Sequence, residues 1–265
     1  MEAHDVIVIG AGLAGLRASR VLAEAGCSVL VVDAADDVGG RQRTDEIDGF
    51  RLDRGFQVLN PAYPAIRRWV DVDALRMRPF PVGVRVRREK RVVEVRHPLR
   101  HPLSIPRTLA SGLVSPRDAA ALARWIAPAL VHPRRMIAGA DRPLREGWDA
   151  AGLRGRLRTE VLEPFLAGVL AEHAGDSSDV FAKLLVRMFV IGAPGVPERG
   201  IAALPAQLAD TARATGAVIR LGARATRIRR VRGSVEIDIA GADPLRADAV
   251  VVSVGAESVS DLVDV

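Results

Sequence analysis

Asp5-Val6-Ile7-Val8-Ile9-Gly10-Ala11-Gly12-Leu13-Ala14-Gly15 is the stretch from which the fold follows. Five residues, four of them apolar, read as a buried strand, and a helical pattern runs on to Ala25. Ser28-Val29-Leu30-Val31-Val32 is a second apolar run, closed by Asp33. Gly10 suits the tight turn out of the strand. Gly12, lacking a Cβ, lets a backbone approach a pyrophosphate, and Gly15 lets the helix pack closely on a sheet. The free N–H groups and positive dipole end of the helix then favour an anion. A carboxylate about 20 residues on, at the end of the second strand, can accept from a ribose hydroxyl. The bland alternatives are a ligand-free glycine-rich turn and, for Asp33, a cap or turn residue before Ala34-Ala35-Asp36-Asp37. Strand, helix, second strand and terminal acid together favour a dinucleotide site.

Further on come Gly39-Gly40-Arg41-Gln42-Arg43-Thr44 and Asp53-Arg54-Gly55-Phe56-Gln57. With these motifs the chain resembles the FAD-dependent amine oxidase, phytoene desaturase and protoporphyrinogen oxidase superfamily. The resemblance implies a Rossmann-like α/β fold of the FAD/NAD(P)-binding, glutathione-reductase type, with FAD as cofactor. It implies that Gly39 and Gly40 approach the ribityl–pyrophosphate region, that Arg41 neutralises phosphate with a planar donor set, and that Thr44 adds a hydroxyl donor. Gly55, Phe56 and Gln57 become candidates for the wall near the flavin ring. Such proteins usually carry Glu where this chain has Asp33. The cofactor-binding set expected by resemblance is Gly10, Ala11, Gly12, Leu13, Ala14, Gly15, Asp33, Gly39, Gly40, Arg41, Thr44, Gly55, Phe56, Gln57 and Ala225. Without the neighbouring motifs, Arg41 and Arg43 read as solvated charge, and Asp53 to Gln57 as a strand-end turn.

The chain has 265 residues, with 49% hydrophobic content, enough for a sizeable core. Its formal charge is +6, but lysine occurs only at Lys90 and Lys183, so nearly all of the 38 basic residues are arginine. Such an arginine- and alanine-rich balance reflects base composition more than nucleic-acid binding, and no nucleic-acid motif is visible. Cys27 is the only cysteine. It excludes an internal disulfide and suits a reducing cytoplasm, as a buried structural thiol. The first strand begins by Asp5, so no signal peptide is expected, and no apolar run reaches the ~18 residues of a spanning helix.

From Pro79 the pattern changes. Val82–Val95 reads as a hairpin with alternating apolar residues and a charged turn, Arg88-Glu89-Lys90-Arg91. His97 and His101 are four apart, but each precedes a proline and no third ligand is near, so no metal site is expected. Ser115-Pro116 opens a helix toward Leu130. A second helical stretch runs from about Leu153 to Ala174, interrupted at Pro164-Phe165-Leu166-Ala167-Gly168-Val169. That segment resembles one in the substrate domain of desaturase-like flavoproteins; a kinked core helix is the bland reading. The loop Pro194 to Gly200 and the helix start Leu204 to Ala209 together resemble the return to the cofactor domain. Strands are expected at Val218–Leu221, Ala225–Val231, Ser234–Ile239 and Leu245–Val254. The expected division is 1–78 with 198–265 for FAD, and 79–197 as an inserted, partial substrate domain. The resemblance covers the N-terminal part of the family; its C-terminal Gly-Asp motif is not found, so the chain is expected to be a fragment or a truncated form.

The leading expectation is an FAD-dependent oxidoreductase, desaturase- or amine-oxidase-like, taking a hydride equivalent from a small apolar or amine substrate. No catalytic acid–base pair can be named, and Lys183 is not at the position of the amine oxidases' lysine. The alternatives are a truncated FAD-binding protein or subunit without independent catalysis, and an NAD(P)-dependent Rossmann dehydrogenase, which has no need of Gly39 to Thr44. A cytoplasmic location is expected. The basic segment Arg85–Arg107 is compatible with peripheral contact at the inner face of the membrane, though a solvated hairpin face explains its charge equally well.

Overall fold

The computed structural model describes residues 4–81, 83–88, 91–96 and 100–263. The chain divides into two compact units, one of residues 1–59, 65–78 and 195–265, the other of residues 60–64 and 79–194. Residues 60–64 fall in the second unit and 195–197 in the first, whereas the sequence reading assigned both segments the other way.

The first unit is built on β1 (His4–Ile9), α1 (Leu13–Glu24), β2 (Val29–Val32), and the hairpin of β3 (Thr44–Ile47) and β4 (Phe50–Asp53). Its main sheet has six strands, ordered Ala225–Val231, Ser234–Ile239, Leu245–Val252, β1, β2, Val218–Arg220. β1 runs parallel to both neighbours, with Ile7 opposite Val250 and Leu30. The three strands from Ala225 to Val252 form an antiparallel meander. Both faces of the central strands are covered, which explains their unbroken apolar runs. Side chains alternate: Val6 and Val8 pack with α1 residue Leu16 and with Leu208 and Ala212 of the helix Ala203–Ala214, while Ile7 and Ile9 pack with Ile237 and Leu262 on the other face.

The second unit is mostly helical, with main helices Pro116–Val131, Leu144–Ala151, Glu163–Leu170 and Asp179–Ile191. The helix expected after Ser115 is present, and Ser115 and Asp118 form a reciprocal capping box. The stretch expected as one interrupted helix is a π-helical turn at Leu157–Leu162 followed by α-helix from Glu163. Pro164 has no N–H for the carbonyl four residues back and its ring would crowd that carbonyl; a widened turn relieves both. The hairpin is present as Gly83–Arg88 paired with Arg91–Arg96, and Val84 and Val86 face the core. Glu89 and Lys90 of its turn, Val82, and His97 of the histidine pair lie outside the described residues. The core gathers Trp125, Leu144, Trp148, Leu166 and Leu185.

Within that core Asp179 is 2% exposed. It accepts from Trp125 Nε1 at 2.7 Å and from Lys183 Nζ at 2.7 Å, with Arg142 Nε at 3.3 Å. Lys183 is thereby a structural partner one helical turn away. A Cβ on Gly147 would lie 2.1 Å from Asp179 Oδ1, so glycine is what lets the helix Leu144–Ala151 come this close. Removing one partner of a buried pair strands the other. Asp179→Ala is therefore expected to cost about 3–5 kcal/mol in denaturant unfolding.

Candidate functional site

The site begins where β1 ends. Gly10 has φ +108°, and a Cβ there would stand 2.7 Å from the carbonyl oxygen of Ser253. A Cβ on Gly15 would lie 1.9 Å from the Gly10 carbonyl oxygen, so α1 and the strand end meet backbone to backbone. Gly12 differs: nothing lies within 4 Å of its Cβ position. It faces open space at the N-terminus of α1, where the first-turn amides have no carbonyl acceptor inside the helix.

The second glycine motif docks on the first. Gly39 N–H donates to the Ala11 carbonyl at 2.8 Å, and a Cβ on Gly40 would stand 3.5 Å from Gly12 Cα. Gly39 and Gly40 have φ +112° and +58°, and a Cβ on Gly39 would also strike Pro205. Asp33 joins the same knot, accepting from Ala11 N–H at 2.6 Å and from Ala35 N–H at 2.8 Å. The structure thus brings Gly10, Ala11, Gly12, Leu13, Ala14, Gly15, Asp33, Gly39 and Gly40 into one constellation.

Beside it opens a cavity of about 310 Å³, lined by Gly10, Asp33 and Ala225 among the expected residues. Ligand pockets begin at about this size. Its remaining wall includes Arg224, Thr226, Val254, Ser258 and Asp261, none of which the sequence reading singled out. Ser253 was also missed. Its hydroxyl donates toward the carbonyls of Ile9 and Gly10, each at 3.0 Å, and its N–H donates to Ile9 at 2.8 Å. The one legible signal was its place directly after an apolar run. That the run lies beside β1 is a matter of sheet order.

Arg41, Gly55, Phe56 and Gln57 do not line this cavity. Arg41 is exposed and, among the described residues, has no ion-pair partner. Gln57 Nε2 donates to the carbonyls of Arg41 at 3.3 Å and Arg54 at 3.1 Å, folding the loop back on itself. Gly55 turns with φ +80°, and Phe56 is 87% exposed. The Thr44 hydroxyl is already engaged: it donates to Asp53 Oδ1 at 2.7 Å and accepts from Ala202 N–H at 3.0 Å. Asp53 also accepts from Ile201 N–H at 2.9 Å. Thr44 is therefore a clamp between the hairpin and the start of the helix Ala203–Ala214.

The loop around Arg41 is clipped by ion pairs. Arg43 meets Asp36 at 2.8 Å, and Arg54 holds both oxygens of Asp45 at 2.8 and 2.9 Å. The hydrogen bond from Arg43 holds the Asp36 carboxyl below its ordinary range, and that from Arg54 does the same for Asp45. Among the described residues no group of three or more His, Cys, Asp or Glu could hold a metal ion.

The family model for flavin containing amine oxidoreductases matches residues 13–264. Putrescine oxidase from Kocuria rosea is 45% identical over 68 residues, 26% of this chain and 14% of that protein. Carotenoid 3,4-desaturase from Haloarcula japonica is 42% identical over 55 residues, 21% of this chain and 11% of that protein. Among solved structures, an oxidoreductase from Methanosarcina mazei superposes with a TM-score of 0.71 at 20% identity, covering 99% of this chain and 61% of that one. Putrescine oxidase bound to putrescine gives 0.62 at 20% identity, covering 98% and 60%. At such identity these structures share the fold, and the chain spans about three fifths of their length.

Two outcomes follow from the geometry. Thr44→Val leaves the Ala202 N–H without an acceptor and is expected to cost about 1–3 kcal/mol in denaturant unfolding. Because Asp36 and Asp45 have lowered values when folded, their clips are complete above the ordinary carboxylate range and are lost as pH falls through those values. Amide exchange from Gly39 to Arg54, corrected for its intrinsic pH dependence, is expected to lose protection below about pH 4.

Proposed function

Because the chain belongs to the flavin-containing amine oxidoreductase family, we propose that it binds FAD and serves a redox reaction on a small-molecule substrate. The observation that carries this reading is the docking of the Gly39-Gly40 turn on the Gly10–Gly15 turn, through Gly39 N–H and the Ala11 carbonyl. A nicotinamide adenine dinucleotide needs only the first turn and a terminal acid. A second turn stacked on the first lengthens the cradle along the path of a longer cofactor.

The residues present fit such a group. The space at Gly12 is one that a Cβ would fill, and it faces the free amides at the start of α1. The 310 Å³ cavity, with Asp33 and Ala225 in its wall, suits the adenosine end. Arg41 carries a guanidinium free to neutralise phosphate. Gly40 keeps the approach over Gly12 open, Gln57 holds the Arg41 backbone, and Gly55 and Phe56 are the residues that would meet the ring system. Thr44 acts indirectly, through its clamp. FAD, when bound, supplies the acceptor for a hydride equivalent. The chain's part is to bind, orient and exclude water. The first unit would be the cofactor domain and the second part of a substrate domain.

The relatives include both a putrescine oxidase and a carotenoid desaturase. An amine and an apolar polyene are thus the two substrate classes in view. Two arginines of the hairpin are engaged within the chain, Arg96 with Glu94 and Arg88 with Glu160. Among the described residues no helix is long and apolar enough to cross a membrane. The single Cys27 is compatible with a reducing compartment.

Purified protein, or protein reconstituted with FAD, is expected to show flavin absorption bands; colourless protein that NAD stabilises and FAD does not would overturn the reading. Arg41→Ala is expected to weaken FAD binding by about 10-fold or more, measured by fluorescence titration, because a charge-assisted contact is lost.

A further inference from the structure

Asp33 stands where a dinucleotide fold places its sugar-binding acid, yet both carboxylate oxygens already hold protein groups. Oδ2 accepts from Ala11 N–H at 2.6 Å and Oδ1 from Ala35 N–H at 2.8 Å. Ala11 is fully buried, and its carbonyl accepts from Gly39 N–H at 2.8 Å. The peptide groups of one alanine are therefore gripped from both sides, by the end of β2 and by the second glycine turn. The Asp33 backbone is itself fixed: its N–H donates to the Arg220 carbonyl at 3.1 Å and its carbonyl accepts from Ala223 N–H at 2.8 Å.

We propose that Asp33 is a positioning residue, a clasp that preforms the glycine turn in the ligand-free protein. It holds the Ala11 N–H away from the phosphates and leaves the amides of Gly12, Leu13 and Ala14 to them. An ionised carboxylate has about four lone-pair sites. Two are engaged by Ala11 and Ala35, so about two remain for sugar hydroxyls at the cavity. Side-chain length is part of the device. A glutamate here would carry its carboxylate about one C–C bond, ~1.5 Å, farther into the cavity and away from Ala11. The sharing with the sugar rests on the FAD reading; the clasp does not, because it is made by the chain's own groups.

The test uses the full chain without ligand, comparing wild type with Asp33→Asn and Asp33→Glu. An asparagine has only one acceptor oxygen for two N–H donors and turns its own N–H₂ toward the other. Asp33→Asn is expected to speed amide exchange by about 10-fold or more at one of Ala11 and Ala35, whichever loses the oxygen, and to lower the ligand-free melting temperature by roughly 3–6 °C. Asp33→Glu, which keeps the charge, is expected to speed exchange at Ala11 as well. FAD affinity should fall in both variants. If Asp33→Asn leaves exchange and melting as in wild type, with or without a loss of FAD affinity, Asp33 is no clasp. Ala11 and Ala35 amides that exchange like an unfolded chain in wild type would overturn the proposal without any variant. Wild type that shows the protected amides and the variant effects but takes up no FAD would support the clasp and sink the flavin reading.

Discussion

A methyl group on residue 15 would lie 1.9 Å from the carbonyl oxygen of Gly10, and the rest of the first unit depends on that lack of room. α1 can start only where its first turn touches the strand that precedes it. The contact aims the free amides of the helix past Gly12 into open space. It also brings the Ala11 carbonyl to Gly39 and the Ala11 N–H to Asp33. Ser253 closes the knot from the neighbouring strand by bonding the carbonyls of Ile9 and Gly10. Each of these bonds satisfies a polar group that close packing has taken from water, so the cradle is rigid because it is crowded.

The second unit solves a comparable problem with different chemistry. Its helices converge on Asp179, a nearly fully buried carboxylate, and the approach again requires a glycine, Gly147. Trp125 and Lys183 satisfy the charge. An acid, a lysine and a tryptophan in contact resemble a reactive cluster by composition alone. Their burial and mutual contact make them a staple, and Lys183 belongs to the architecture.

Much of the fold was legible because its signals are local. The apolar runs of β1 and β2, the Ser115 cap, the alternation of the hairpin and the strands after Ala217 follow from propensity and periodicity within short windows. The helix Asp179–Ile191 was not read; residues 180–191 are almost continuously apolar, broken only by the charges of Lys183 and Arg187. The π-helical turn before Glu163 was foreshadowed by Pro164 only as an interruption. At the site, the residue types of both glycine motifs were read from the sequence. The engagement of Thr44 was not, since its hydroxyl serves a helix start that lies 158 residues away.

The sequence by itself determined that a strand, a glycine turn, a helix and an acid-ended strand would follow one another. Those elements rest on backbone sterics and local burial, which act over a few residues. Only the tertiary structure decided that Gly39 would bond Ala11, that Ser253 would meet Gly10, and that the carboxylate of Asp33 would face the protein's own amides before any sugar. Such pairings depend on strand order and on distances of a few tenths of an ångström. They are set when the whole sheet packs and every buried polar group must find its partner at once.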